Sequence, residues 1–268
     1  MTWTERQRAM LGAMGIAVWS APSVKAAEAG DAAASRDAAR GATAARGAAQ
    51  TRPIASRVDP APVSRAPPAD DRSPRELEIA ALGWQPLRER VAGCQACRLC
   101  EGRTQTVFGV GNERAHCMIV GEAPGENEDL QGEPFVGAAG QLLDRMLHAI
   151  GLTRGAAEPA QQVYIANTLK CRPPRNRNPE PDELALCGAY LRRQIELVQP
   201  RLLLAMGRFA VQTLLDSGEP IGKLRGRVHR WRERPVVVTY HPAYLLRNPA
   251  DKARAWADLC LAAEQLRR

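Results

Sequence analysis

Four cysteines have the spacing of a closed thiolate site. Cys94 and Cys97 form a C-x2-C pair on one short turn, and Cys171 and Cys187 follow far down the chain. Singly, each reads as a small buried hydrophobe. A close pair with two distant partners instead favours a metal site, and the spacing suits zinc or an iron–sulfur cluster equally. Three of the seven cysteines remain. Cys117 and Cys260 fall at core positions, and Cys100 is close enough to the pair to compete as a ligand.

Other residues could do different chemistry. Gly121-Glu122-Ala123-Pro124-Gly125-Glu126-Asn127-Glu128-Asp129 is a tight turn with four carboxylates. That charge is wrong for a phosphate cradle, which leaves an acidic surface loop or a working one. Pro134-Phe135 sets an aromatic beside it, for core packing or for stacking on a planar ligand. In His241-Pro242-Ala243-Tyr244-Leu245-Leu246-Arg247-Asn248-Pro249, a histidine opens a proline-bounded loop with two adjacent leucines and an arginine. A lone histidine after a strand is commonly structural. Adjacent leucines at a loop tip, however, are costly unless a partner buries them, and an apolar wedge beside a cation suits a duplex being opened. The basic runs 172–177 and 223–227 are either solvated charge or phosphate contacts.

The elements that must position these residues alternate. Residues 75–91 read as one helix or as two short ones divided at Gly83. Residues 116–121 form a buried-strand pattern, and 137–150 carry the apolar stripe of an amphipathic helix closed by Gly151. A strand over 163–166 ends at Asn167, and the helix 181–198 presents Cys187. A strand over 201–206, a helix over 207–215, a strand over 235–240 and a helix over 251–266 complete the series. Strands alternating with helices predict a parallel sheet covered on both faces. Ligands in such folds bind beyond the carboxyl ends of the strands. The pattern puts Glu122–Gly125, Asn167 and His241–Pro242 at that edge.

Composition narrows the classes. From residue 26 to 50, thirteen of twenty-five residues are alanine, with no aromatics and no periodic Leu, Ile or Val. Such a segment buries too little apolar surface to offset its ordering entropy. The expected organisation is a short amphipathic peptide (1–22), a disordered Ala/Pro/Arg-rich linker (23–73) and one folded domain (74–268). The net charge of +8 favours a polyanion partner. No run of about 20 apolar residues exists to span a membrane. An odd cysteine count in a chain this long argues against a secreted disulfide framework and for a reducing, bacterial-type cytoplasm; a nucleoid-associated monomer is the separate expectation.

Five motifs in this order carry a specific likeness: Cys94-x2-Cys97, the Gly121–Glu128 turn, Pro134-Phe135-Val-Gly, Asn167-Thr-Leu-Lys-Cys171-Arg-Pro-Pro and His241-Pro-Ala-Tyr-Leu-Leu-Arg247. Over about residues 85–265 the chain resembles the family 4 uracil-DNA glycosylases, which carry a [4Fe-4S] cluster. The resemblance implies an α/β/α sandwich around a four-stranded parallel sheet, with uracil-containing DNA as substrate and an abasic site as product. It implies cluster ligands at Cys94, Cys97, Cys171 and Cys187, and none at Cys100. It implies a uracil pocket of Glu122, Ala123, Glu128, Phe135, Asn167 and His241. Phe135 would stack on the flipped base, Asn167 would read its polar edge, and Glu128 would help exclude the 5-methyl of thymine. Leu245 or Leu246 would fill the vacated stack, with Arg247 near the backbone.

Cleaving the N-glycosidic bond leaves negative charge on the uracil O2/N1 system, and His241 is the expected donor to O2. A related family activates water with an aspartate where this chain has Ala123, so that role passes to Glu122. No basic insertion lies between Glu128 and Leu142, which predicts ordinary turnover rather than a covalent adduct. Two other readings are an iron–sulfur nucleic-acid binding module without activity and a zinc-dependent hydrolase. Residues 6–22 resemble the N-terminal peptide of the replicative clamp loader's psi subunit, which implies a replication-protein partner.

Overall fold

The computed structural model describes residues 72–268 and, apart from them, Gly12. The peptide expected at 1–22, the linker expected at 23–73 (Arg72 and Ser73 excepted) and the replication-partner segment 6–22 lie outside the described residues.

The sheet has six strands in the order β1-β3-β2-β4-β6-β5. Four are parallel: β2 (Cys117–Gly121), β3 (Val163–Asn167), β4 (Leu202–Met206) and β6 (Arg234–Thr239). Their sequences are continuous apolar runs, because both faces are covered. Every residue of β2, β3 and β4 is buried. The four-stranded parallel sheet of the sequence reading is therefore present. It is widened by two antiparallel strands, β1 (Val110–Gly111) beside β3 and β5 (Val228–Trp231) beside β6.

Alternate strand residues feed two cores. Ile119, Ile165, Leu204 and Val237 face Leu143, Met146 and Leu147 of α5 (Ala138–Ala149) and Trp256 and Leu259 of α10 (Lys252–Arg267). Val120, Ala166, Ala205 and Val238 face Leu191 and Ile195 of α6 (Pro181–Val198) and Val211 and Leu214 of α7 (Arg208–Leu215). These are the three layers. Residues 75–91 resolve into two helices, α1 (Pro74–Ala81) and α2 (Trp84–Ala92), with Gly83 as the N-cap of the second. Their Ile79, Leu87 and Val91 pack on Ala189 and Tyr190 of α6. A short α3 (Leu99–Gly102) follows the first cysteine pair.

Two loops of the sequence reading are helical. Glu126–Gln131 forms α4, with Gly125 as N-cap and Glu128 closing a capping box. Pro242–Arg247 forms α9, with His241 as N-cap and Pro242 in its first turn, where its fixed φ and missing N–H suit a helix start. The basic run 223–227 begins in α8 (Ile221–Leu224), and its Arg225 is paired at 2.9 Å with the buried Asp258 rather than left for a phosphate. Among the described residues no helix is long and apolar enough to cross a membrane.

Candidate active site

Register places the first two parts of the site side by side. Gly121 at the end of β2 pairs with Asn167 at the end of β3. Beyond the sheet, Thr168 donates its N–H and its hydroxyl to the Gly121 carbonyl at 3.0 and 2.9 Å, and the Leu169 N–H reaches the Glu122 carbonyl at 3.0 Å. The two loops thus leave the sheet locked together. From the other half, the Gly207 N–H donates to the Thr239 carbonyl at 3.1 Å, holding the start of α7 beside the segment that leads to His241.

A cavity of about 740 Å3 opens between these ends. Its walls include Glu122, Ala123, Glu128, Phe135, Asn167 and His241, so all six residues expected of the base pocket meet there, together with Arg247. The two leucines separate. Leu245 is fully buried in the core beside α5 and α10, whereas Leu246 is 44% exposed. Adjacent side chains on a helix diverge by about 100°, which corrects Leu245 to a core residue and leaves Leu246 at the surface.

His241 is fixed in one tautomer. Its Nδ1 accepts the Ala243 N–H at 3.2 Å as part of the α9 cap, so the proton of the neutral ring sits on Nε2. Burial, aided by the charge of Arg247, pulls its pKa down to about 4, and the ring is neutral at physiological pH. A neutral imidazole with a bound Nδ1 is a donor through Nε2–H. The ring stacks on Phe135 with centroids 5.2 Å apart.

Phe135 occupies left-handed backbone, with φ of 58°. Non-glycine residues in that region carry local strain that the surroundings must hold. Two features hold it. Gly140 in α5 lets the backbone of Phe135 come so close that a Cβ there would overlap its carbonyl. Glu128 accepts the Gly125 N–H at 3.1 Å and the Val136 N–H at 3.2 Å. Its carboxylate therefore ties α4 to the residue after Phe135. Gly121 leaves room for both walls, since a Cβ there would overlap Asn167 Oδ1 and lie 2.8 Å from Phe135 Cζ.

Asn167 is 2% exposed, and its Oδ1 is buried with no hydrogen-bond partner. Buried polar atoms are nearly always paired, so an unpaired amide oxygen on a cavity-lining residue calls for an explanation. Burial raises the pKa of Glu122 against the smaller opposing pull of Arg208. Of the other acids in the turn, Asp129 is buried and accepts the Thr104 N–H. Glu126 pairs with Arg172 at 3.4 Å. In the run 172–177, Arg177 is bidentate to the buried Glu183, at 2.6 and 2.9 Å.

The four expected cysteines also meet. Cys94, Cys97, Cys171 and Cys187 line one narrow cavity, and Cys100 does not. Arg103 Nη1 donates to Cys171 Sγ at 3.1 Å and the Lys170 N–H to Cys187 Sγ at 3.3 Å. Burial raises the pKa of Cys171 against the opposing Arg103, and pushes Cys187 up to about 12 against Lys170. Among the described residues, no three His, Cys, Asp or Glu side chains converge as ligands of a single metal ion.

The reading of the sequence missed Gly207 and Arg208, which also line the base cavity. The signal was present: they follow β4 as Glu122 follows β2 and His241 follows β6. Pro173 and Asn176, from the run 172–177, line it too.

Comparison with known proteins agrees with this geometry. The model of the uracil DNA glycosylase superfamily matches residues 108–260. The type-4 uracil-DNA glycosylase of Archaeoglobus fulgidus is 46% identical over 167 residues, 59% of this chain and 81% of the relative. That of Sulfurisphaera tokodaii is 45% identical over 174 residues, 62% of this chain and 76% of the relative. That of Saccharolobus solfataricus is 44% identical over 172 residues, 61% of this chain and 77% of the relative.

Proposed function

The chain belongs to the uracil-DNA glycosylase superfamily, and we infer from the walls of its cavity how it carries out that family's reaction. It is a uracil-DNA glycosylase, a hydrolase of N-glycosyl bonds whose substrate is uracil-containing DNA. The observation that carries the mechanism is the buried, unpaired Asn167 Oδ1, on a residue that lines the same cavity as Phe135 and His241.

A base inside a duplex is out of reach, so the target nucleotide is extruded. Leu246 fills the space it leaves, and Arg247 at the cavity rim meets the backbone. Phe135 lies under the extruded ring. Asn167 offers a donor and an acceptor to the polar edge of uracil. As the glycosidic bond lengthens, charge develops on O2, and the Nε2–H of neutral His241 stabilises it without a proton having to move first. Glu122 receives the proton of the attacking water. Its raised pKa is the property of a carboxylate tuned toward base work at neutral pH. Glu128 spends its carboxylate on two backbone amides, so its part in excluding a 5-methyl group acts through the placement of Phe135.

The thiolate cavity fits a [4Fe-4S] cluster: four cysteines line it together, one for each iron, and the hydrogen bonds from Arg103 to Cys171 Sγ and from the Lys170 N–H to Cys187 Sγ are those that support anionic sulfur. Cys94, Cys97, Cys171 and Cys187 would hold the cluster, which braces the start of the domain against α6. The domain 74–268, a cytoplasmic setting and a replication-protein partner for residues 6–22 are further parts of this reading.

A uracil-containing oligonucleotide incubated with the protein and then treated with alkali should break at the uracil position. An intact strand, with binding retained, would favour the inactive binding module instead.

A further inference from the structure

Lys170 is among the largest fully buried side chains, at 1% exposure. Its ammonium donates to the Asn167 backbone carbonyl and to Gln194 Oε1, both at 2.7 Å. Gln194, 0% exposed on α6, uses its amide to reach the Phe108 carbonyl at 2.8 Å and the Tyr164 hydroxyl at 3.3 Å. The backbone of residue 170 is held too, by its N–H on Cys187 Sγ and by its carbonyl accepting the Val107 N–H at 2.8 Å. Cys187 and Gln194 stand seven residues apart on α6, two turns along one face.

We propose that Lys170 is a positioning residue for base recognition: with Gln194 it fastens the end of β3, and so the Asn167 amide, to the helix that carries Cys187. The inference rests on the uracil-excision reading above. Burying an ammonium is expensive unless its hydrogen bonds repay it, and two neutral oxygens at 2.7 Å make strong charge-assisted bonds. A hydrophobic side chain of the same length would fill the volume and satisfy no acceptor. The pair therefore does more than pack. It fixes the carbonyl of the residue whose side chain must meet uracil, and the site tolerates little misplacement.

The test is binding of free uracil, measured as product inhibition of excision and as the uracil-dependent rise in melting temperature. Lys170→Met is expected to weaken uracil binding about tenfold, and Gln194→Met several-fold, with affinity for undamaged DNA unchanged. The double variant should be no weaker than Lys170→Met alone, because both changes cut one bridge. Additive losses, or uracil binding within twofold of wild type in both single variants, would overturn the proposal. If Lys170→Met does not fold, Gln194→Met decides alone: native melting with native uracil binding overturns it. Wild-type protein that releases no uracil would sink the functional reading instead, which separates the two failures.

Discussion

Replacing Gly121 by alanine adds one methyl group at the point where two walls of the base cavity come closest. The backbone accepts it, since φ at Gly121 is not positive. The space does not: the new Cβ would overlap Asn167 Oδ1 and lie 2.8 Å from Phe135 Cζ and 2.9 Å from Cε2. An ordinary contact begins near 3.4 Å, so the ring must retreat about 0.6 Å and the amide further. Phe135 has little freedom to move, because Gly140 and Glu128 hold its backbone. Overpacking of this kind costs about 1–3 kcal/mol of stability. A displacement approaching 1 Å in groups that orient the base costs roughly 100-fold in rate, or about 2.7 kcal/mol of transition-state stabilisation. The assay is single-turnover excision from a uracil-containing oligonucleotide, quantified after alkali, beside a melting curve. Gly218→Ala is the control, since nothing lies within 4 Å of a Cβ there. Excision by Gly121→Ala within threefold of wild type, with native melting, would mean that Asn167 and Phe135 do not place the base.

Other outcomes follow from the same geometry. His241→Ala should lower excision by roughly 100- to 1,000-fold, the usual loss on removing a preorganised donor, and leave DNA affinity nearly unchanged in a gel-shift titration; equal losses in both would make its role structural. His241 stays neutral until pH falls toward 4, so the acid limb of the pH–rate profile belongs to Glu122. Its pKa is raised by burial, hence activity should climb as pH rises through that value, and Glu122→Gln should flatten the limb as well as slow the reaction. Cys171→Ala should remove visible absorbance near 400 nm and destabilise the domain, because metal-site binding energy is folding energy. A fully coloured, stable variant would take Cys171 out of the ligand set.

What the sequence revealed, and what it hid, follows physical lines. The four parallel strands were legible because strands covered on both faces run continuously apolar, as in Leu202–Met206. The flanking strands were not: β1 has two residues, and β5 alternates exposed and half-buried positions around His229 and Arg230. The sequence around α9 shows two leucines in a row between prolines, which hides a six-residue helix, although His241-Pro242 is a cap followed by a first-turn proline. Residues at the ends of β2, β3 and β6 could be gathered by topology alone. The double duty of Glu128 could not, since its bond to the Val136 N–H depends on the fold of the intervening turn. The Lys170–Gln194 contact, twenty-four residues apart, left no periodic trace for the same reason.

Both flanks of the sheet finish in brief antiparallel pieces, β1 on one side and β5 on the other. An unfinished border of backbone N–H and C=O groups is what another polypeptide needs in order to add itself on. Here that border is only two residues long at one side, and at the other it carries the charge of Arg230. The folded domain therefore gives aggregating chains a poor template, and it can be concentrated along its polyanionic substrate without knitting into sheets.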